Sequence, residues 1–508
     1  MKYDYYQMEA IHPGHQSQHT RWRFLYDSYM GGFYYRKNDY LTRYVYENEQ
    51  EYDNRKQETP LDNHCKNIIH TYSSFLFREA PYREFGSIER DPSLESFMQD
   101  ADLDGRNFNN FMRDACVQAS IYGTAWIVVD KPQTQTTTRA QELEQEIRPY
   151  VSLISPINVV DWDYTRRPNG AYELTYVKVF ERHISETEAV YRIYTPESID
   201  VVVFSKGNTK NPVDVIESTP NALGKVPLVV LYNSRSWQRG IGISDIEDIA
   251  DHQLKIFNLN SELIQLARIG NHPSLVKTEM VTASAGAGAI ITVPENTPEG
   301  LKPYLLQPDS NNIDGLLASI ERTVDTIDKL AHLGGIRSTA TRNQSGVALQ
   351  SEFQLLQAKL TEKASGLELA EEQIWRLWAL WQNSTFDGII EYSNVYNMRD
   401  KTAELEQIKM AKDSEITNPR LLREIDILVA EILIEDEETL NEIKEETAVG
   451  GEIILEHDPV EGSQDLVAHI REMINQGMSD SEILELHPEI EEIFDDSRDT
   501  NLESGTTT

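Results

Sequence analysis

The feature that most constrains the fold is one long run of apolar residues at helical spacing. Residues 346–382 repeat large apolar side chains every three or four positions, which predicts a single amphipathic helix of about 55 Å. Gly366 interrupts the run and indicates a bend or a close contact. Trp375, Trp378 and Trp381 are expected to lie in the core. The apolar stripe consists of Leu349, Phe353, Leu356, Leu360, Leu367, Ile374, Leu377 and Trp381.

Two shorter helices are predicted before the long one, with a small β-containing segment between them. Residues 241–270 keep a helical period that starts at a predicted capping box, Ser244 with Glu247, and stops at Gly270. Residues 271–310 hold short apolar runs between Gly and Pro turns, which predicts strands and no helix.

The second of these helices, residues 311–333, has one apolar face and one acidic face. Its four carboxylates fit within an arc of about 60° at about 100° per residue. They are Asp314, Glu321, Asp325 and Asp328. A charge run of this kind is usually a solvated helix face.

The remaining chain divides into a mixed N-terminal part and an acidic C-terminal part, so the fold class is α+β and mostly helical. Residues 20–125 have helical patterns, the buried strand "TAWIVVD" follows, and residues 150–232 read as strands. After the long helix, "GIIEYSNVY" is predicted to return as a strand to this β domain. Residues 401–508 contain 30 Asp and Glu against 8 Lys and Arg, a net charge of −22 out of −37, which predicts a separate helical module. Its last residues, 495–508, are expected to be disordered.

Charge and cysteine content limit the partners and the compartment. A net charge of −37 over 508 residues opposes binding of free DNA through counterion release and does not favour an anionic membrane. Two cysteines, Cys65 and Cys116, indicate no disulfide framework, so a reducing cytosol is expected. We find no apolar run long enough to span a bilayer and no signal peptide.

No sequence motif indicates an enzyme, and we predict no catalytic residue, cofactor or metal. A Walker A motif and a G-x-S-x-G motif are both missing from the sequence. His12, His15 and His19 have ligand-like spacing but no neighbouring Cys or carboxylate, which favours a surface segment over a metal site. Asp161 and Asp163 would share one side of a strand, without an evident third acidic partner.

The loop between the second helix and the long helix is mildly basic, although the chain is strongly acidic. Residues 334–345, "GGIRSTATRNQS", place Arg337 and Arg342 among small polar residues with no carboxylate between them.

The order of these parts resembles the portal proteins of tailed bacteriophages. The likeness covers about residues 20–400, and local stretches agree with it, among them "DADLDGRNFNNFMRDACVQASIYGTAWIVVDKP", "LISPINVVDWDY" and "SGVALQSEFQLLQAKL". The resemblance implies a ring of twelve subunits at one capsid vertex of the virion, assembled in the host cytoplasm. Double-stranded DNA would pass non-specifically through its tunnel during terminase-driven packaging and later ejection. The implied partners are the large terminase subunit, head–tail connector proteins, the major capsid protein and a scaffold, with no membrane and no cofactor.

The resemblance also implies a role for each segment. These are a mixed α/β wing (1–240), a stem helix (241–270), a β-containing clip (271–310), a second stem helix (311–333), a tunnel loop (334–345), the long wing helix with its returning strand (346–400), an acidic helical crown (401–494) and a tail (495–508).

In this scheme the basic loop narrows the tunnel and the acidic stripe of residues 311–333 lines it. Weak phosphate contacts that carry no sequence information suit a duplex that must slide. The loop residues concerned are Arg337, Ser338, Thr339, Thr341, Arg342, Asn343 and Gln344. The alternative for the loop is a plain interhelical linker whose arginines pair with carboxylates of the adjacent subunit. The alternatives for the whole chain are another structural virion protein, such as a connector or scaffold, or a DNA-packaging enzyme.

Overall fold

The structure is a computed structural model of the chain. It describes residues 2–132, 138–208, 212–271, 274–276, 296, 298–306, 311–334, 346–393, 396, 408–409 and 419–433. The chain forms two compact units, Met1–Asn397 and Met398–Thr508. In the second unit the described structure is mainly one helix, Pro419–Leu433.

The described helices are, in chain order, α1 (Tyr5–Glu9), α2 (Pro13–Met30), α3 (Gly32–Lys37), α4 (Glu49–Glu58), α5 (His64–Leu76), α6 (Ser93–Gln99), α7 (Phe108–Tyr122), α8 (Arg139–Glu144), α9 (Ile249–Asn271), α10 (Asn311–Leu330), α11 (Gly346–Trp381) and α12 (Pro419–Leu433). The described strands are β1 (Tyr82–Glu84), β2 (Thr124–Asp130), β3 (Tyr150–Ile154), β4 (Val159–Arg166), β5 (Tyr172–His183), β6 (Glu188–Tyr194), β7 (Ser198–Ser205), β8 (Val213–Pro220), β9 (Leu228–Tyr232), β10 (Ser274–Val276), β11 (Tyr304–Leu306) and β12 (Ile389–Glu391).

Local capping explains why α7 begins and ends where it does. The Asn107 side chain accepts a hydrogen bond from the Asn110 backbone N–H at 2.8 Å, which satisfies one free donor of the first turn. The helix ends at Gly123, whose φ of +85° favours glycine, and β2 starts at the next residue.

Strand β2 joins two hydrophobic cores because both of its faces are buried, as its uninterrupted apolar sequence predicts. It is the central strand of an antiparallel sheet with the order β3-β2-β9. Ile127 and Val129 pack with the helices in the main core, whereas Trp126 and Val128 pack with β4 and β5 in a second core. Strands β4 to β8 form a five-stranded antiparallel sheet in chain order.

The long helix α11 crosses the main core and contacts α5, β2, β9 and β12. The prediction that its tryptophans are core residues is confirmed, because Trp375 and Trp378 are fully buried and Trp381 is 7% exposed. The predicted close contact at Gly366 is also confirmed, since an added Cβ would lie 3.3 Å from the Tyr232 carbonyl oxygen. After α11, strand β12 pairs antiparallel with β1 in a separate two-stranded sheet. The predicted strand is therefore present, but the prediction that it joins the β domain of residues 150–232 is wrong.

The start of α9 differs from the sequence prediction. The helix begins at Ile249, and the capping box of Ser244 with Glu247 is wrong. The Ser244 hydroxyl instead donates to the Ser120 carbonyl oxygen at 2.9 Å, and Glu247 accepts a hydrogen bond from Arg21 at 2.7 Å. Long-range polar contacts therefore outcompete the local cap.

The histidine segment is partly buried, so its interpretation as a surface segment is wrong for His15. That side chain is 5% exposed and contacts the Ile157 carbonyl oxygen at 2.9 Å. His12 caps α2 by accepting from the Gly14 N–H at 3.1 Å, and its ring stacks on Trp162. Within the described ranges, no group of three or more His, Cys, Asp or Glu is arranged to hold a metal ion.

Several predicted segments lie mostly outside the described residues. Of residues 271–310, the structure describes the antiparallel pair β10–β11 and a short turn of helix at Glu299–Leu301. Of residues 401–494 it describes only 408–409 and α12, and residues 495–508 are not described.

Candidate functional site

The acidic stripe lies on α10, which spans 20 residues. Asp314 and Glu321 are exposed, while Asp325 and Asp328 are half-buried. Helix α10 packs against α9, and the C-terminal end of its apolar face is buried at Ile327, whereas Leu317 is 43% exposed. The N-terminal half of the stripe is therefore open to solvent, whereas its C-terminal half is partly covered.

The C-terminal end of α10 is fixed by contacts with α5 and with the main core. The Tyr72 hydroxyl donates to the Ala331 carbonyl oxygen at 2.5 Å, and both Ala331 and Leu333 are fully buried. His332, between them, has a φ of +54°, which ends the helix and turns the chain. Its pKa is lowered, first by burial and then by the nearby Lys359 ammonium.

The predicted tunnel loop begins directly after this anchor. Gly334 lies against α11, where an added Cβ would be 2.9 Å from a carboxylate oxygen of Glu352. The predicted loop residues lie outside the described part of the chain, and they are Arg337, Ser338, Thr339, Thr341, Arg342, Asn343 and Gln344. The structure thus locates the first residue of the loop and the helix that follows it.

A buried ion pair that the sequence analysis does not predict connects α11 to the loop before α9. The Lys363 ammonium donates to Asp245 at 2.7 Å and to the Ser120 hydroxyl at 2.9 Å, and it also contacts the Asn233 side-chain oxygen. Lys359 lies 3.2 Å from the other Asp245 oxygen. One signal was available in the sequence, because Lys363 interrupts the apolar stripe of α11 between Leu360 and Leu367.

Electrostatic attraction dominates this pair in spite of complete burial. Burial alone would raise the pKa of Asp245, but the ammonium groups of Lys363 and Lys359 hold it well below its usual value. The pKa of Lys363 is raised for the reciprocal reason, the nearby Asp245 carboxylate. Both groups are therefore charged at neutral pH.

Asp161 and Asp163 lie two residues apart on β4 but differ in environment. Asp161 is half-buried, 3.9 Å from the Lys178 ammonium, whereas Asp163 is exposed. Burial raises the pKa of Asp161 although Lys178 and His12 oppose the shift.

A helix that crosses a membrane needs about 20 consecutive, mostly apolar residues. No helix among the described residues is both long enough and apolar enough to cross a bilayer.

Comparisons with known proteins complete the description of the chain. No curated protein sequence matches it. Among solved structures, it is similar to a chain described as "Neck of empty GTA particle computed with C6 symmetry", with 10% identity, a TM-score of 0.41, and coverage of 76% of this chain and 96% of the other. Residues 9–395 match the family model described as "Phage portal protein, SPP1 Gp6-like". Because that match spans most of the chain, the protein belongs to the phage portal protein family.

Proposed function

We propose that this chain forms the portal ring at one capsid vertex, through which double-stranded DNA enters during packaging and leaves during ejection. The observation that carries the proposal is the family match over residues 9–395. The ring would contain twelve copies, dock the large terminase subunit and later the head–tail connector proteins, and contact the major capsid protein and scaffold. A structural role, without catalysis, accords with this family.

Electron microscopy of the purified full-length protein tests the proposal directly. Rings with a central hole and a mass of about 0.7 MDa, from 12 × 58.2 kDa, are the expected result. Under conditions that support assembly of the isolated protein, open filaments or only small oligomers would favour a different structural virion protein.

Within this ring, the described elements suit the roles that the resemblance implies. Helices α9 and α10, which pack together, would form the stem, and the β10–β11 pair would belong to the clip. The two sheets, the N-terminal helices and α11 would form the wing. Residues 401–494 would form the acidic crown. These assignments rest on family resemblance and on element order.

We propose that the acidic stripe of α10 faces the DNA tunnel. Fixed carboxylates along the wall repel the phosphates of the duplex, so the DNA is not held by counterion release at that surface. Asp314 and Glu321 are exposed, and the spacing of Asp325 and Asp328 puts them on the same side of the helix. The stripe would therefore reduce friction during translocation.

Replacing the exposed pair, Asp314→Lys with Glu321→Lys, tests this role and leaves the half-buried pair intact. We expect normal rings and slower packaging in a terminase-driven assay, because lysines along the tunnel would bind phosphates. Asp214→Lys with Glu217→Lys is the matched control, since both residues are exposed on β8. Packaging at the normal rate in the α10 variant, or equal slowing in the control, would contradict an electrostatic lining.

The loop of residues 334–345 would narrow the tunnel and touch the DNA backbone through Arg337 and Arg342. Its position between α10 and α11, with Gly334 beside Glu352, supports this proposal. Shortening residues 336–344 is expected to spare ring formation and to impair packaging or retention of DNA. If the protein with the shortened loop packages and retains DNA normally, the loop is better explained as a plain linker between the two helices.

Ring assembly must overcome strong self-repulsion. Twelve copies at −37 carry a formal charge of −444, so assembly should depend steeply on ionic strength. Apolar contacts and local pairs of opposite charge between subunits would have to offset this repulsion.

A further inference from the structure

Trp237 differs from every other tryptophan of the chain. It is 94% exposed, whereas the six remaining tryptophans are at most 7% exposed. Burying an indole ring removes a large apolar surface from water, and a rigid exposed tryptophan is a frequent anchor of protein interfaces. This side chain therefore needs an explanation outside the packing of a single chain.

The loop that carries Trp237 is held in one conformation by hydrogen bonds on both sides of it. The Ser236 hydroxyl donates to the Ile241 carbonyl oxygen at 2.7 Å, and the Gly240 N–H donates to the Tyr232 hydroxyl at 2.8 Å. The Trp162 indole N–H donates to the Arg239 carbonyl oxygen at 3.1 Å. Trp237 is thus presented by a structured turn, which lowers the entropy lost when a partner binds it.

Close packing at Gly240 adds a second constraint on this loop. Its φ is +83°, and an added Cβ would lie 2.5 Å from the Trp162 indole nitrogen. Only glycine fits this position without a shift of the second core. The tip of the loop is therefore fixed to the protein interior, although its tryptophan points to solvent.

A groove with more cations than carboxylates in its walls adjoins the loop. It lies between β9 and α11 and consists of two adjoining cavities of about 400 and 320 Å³. Both cavities include Val230, Tyr232, Arg235 and Gln373 in their walls. Arg235 and Arg239, which flank Trp237 in the sequence, line the groove, and the Arg239 guanidinium lies 3.6 Å from the centre of the Tyr172 ring.

The groove reverses the charge balance of the chain. Its walls carry four cations and two carboxylates, whereas the whole chain has 84 acidic and 47 basic residues. One of these carboxylates, Glu173, is already paired with Arg167, and the Arg376 cation is paired with Glu372 at 2.8 Å. The charged wall residues are Lys225, Arg235, Arg239, Arg376, Glu173 and Glu362.

We propose that Trp237 and the adjoining groove, with Arg235 and Arg239, form a docking surface for a second copy of this chain. A ring is built from head-to-tail contacts, in which one face of a subunit meets a different face of the next. A locally cationic surface with an apolar anchor is complementary in charge to a second copy of the chain, whose formal net charge is −37. The contact offsets self-repulsion at the place where two subunits meet. This inference rests on the proposed ring.

Photo-crosslinking in the full-length protein tests which molecule occupies the surface. Trp237 is replaced by the photoreactive amino acid p-benzoylphenylalanine, and assembled rings are irradiated. A covalent band at twice the 58.2 kDa mass of one chain is the expected result. Crosslinks confined to the monomer band would assign the surface to a segment of the same chain, and crosslinks to co-purified nucleic acid would assign it to DNA. Either outcome would overturn the proposal.

Two variants then separate the apolar and the charged contributions to assembly. Trp237→Ala is expected to weaken association about 10- to 100-fold at every salt concentration, as loss of an interface anchor does. Arg235→Glu with Arg239→Glu is expected to weaken it mainly at low salt and to recover toward 1 M salt, where charges are screened within about 3 Å. The readout is the protein concentration at which half of the chains are in rings, measured by mass photometry.

Matched controls identify effects that are not specific to this surface. Tyr46→Ala removes another aromatic side chain, 99% exposed on a different loop, and Lys37→Glu reverses an exposed cation elsewhere. Both should assemble like the wild type. Assembly of the Trp237 and arginine variants at the wild-type concentration would refute the docking surface and leave the portal function standing. Absence of rings in the wild type itself would instead count against the proposed function.

Discussion

Replacing Lys363 with methionine would break the buried ion pair that holds α11 to the loop before α9. The side chains of Lys363 and Asp245 are only 5% and 2% exposed, so the remaining carboxylate would have little access to water. The Ser120 hydroxyl and the Asn233 side-chain oxygen would lose their hydrogen-bond donor as well. Methionine approximates the length of the lysine stem, so the substitution removes the charge with little loss of packing.

The expected loss of unfolding free energy follows from the burial of the pair, and the shift in melting temperature follows from the size of the unit. Removing one partner of a buried pair costs about 3–5 kcal/mol in unfolding free energy. Asp245 keeps its contacts with Lys359 and Asn233 in this variant, so the expected cost is at the lower end, about 3 kcal/mol. The unit Met1–Asn397 has an unfolding entropy of about 0.8 kcal/mol/K, at about 2.1 cal/mol/K per residue. The melting temperature should therefore fall by about 4 °C.

Differential scanning calorimetry of the full-length protein at neutral pH measures this shift. Lys359→Met is the matched control, because Lys359 is 25% exposed and also contacts Asp245. A partly exposed pair contributes at most about 1 kcal/mol, so the control should melt within about 1 °C of the wild type.

The pH dependence of stability gives a second test of this ion pair. The lowered pKa of Asp245 means that its charge stabilises the fold above the unfolded pKa of about 3.9 and that this contribution is lost as the pH falls further. The difference between wild type and Lys363→Met should therefore shrink below about pH 4. Melting of Lys363→Met within 1 °C of the wild type at neutral pH would refute the argument that this pair is needed for the fold.

Three further predictions concern stability and reactivity. Burial lowers the pKa of Lys178 from 10.5 to about 8, so the folded state binds fewer protons than the unfolded state between these values. Wild-type stability in urea should gain up to about 3 kcal/mol from pH 8 to 10.5 relative to Lys178→Met, and parallel pH profiles of the two proteins would contradict this. Cys65 and Cys116 are buried, and burial raises the pKa of both thiols. A thiol reagent such as DTNB should therefore label them far more slowly in the native protein than in urea. Rapid labelling of the native protein would be inconsistent with their burial. Gly123→Ala should lower the unfolding free energy by more than about 3 kcal/mol, because φ is +85° and the new Cβ would lie 2.4 Å from the backbone carbonyl of Gly242. Gly224→Ala, with open space around the new Cβ, should lower it by about 1 kcal/mol. Equal melting temperatures of these two variants would argue against the contact at Gly123.

Local periodicity was enough to predict the long elements. The predicted helix of residues 346–382 is α11, Gly346–Trp381, and the predicted helix of residues 311–333 contains α10, Asn311–Leu330. The exposure of Asp314 and Glu321 agrees with the same 3.6-residue period, whereas Asp325 and Asp328 are half-buried by packing that the period does not show. The predicted tunnel loop residues lie outside the described residues, so their role stays a prediction.

The sequence could not show which polar groups would meet across long separations. Ser244 and Glu247 have the spacing of a capping box, yet Ser120 and Arg21, more than 100 residues away, bind them instead. His15 has polar sequence neighbours but is buried, because α2 turns it toward Ile157. In each case a hydrogen bond between distant residues outweighed the local preference.

The sequence by itself determined the long helices, the buried central strand and the acidic face of α10, because these depend on repeats within a few turns of one element. Only the tertiary structure decided that Lys363 pairs with Asp245 inside the core. It also decided that Trp237 stays in solvent while Arg235 and Arg239, on either side of it in the sequence, line a groove. Burial and pairing depend on which elements pack together, and a linear pattern carries no direct record of those neighbours.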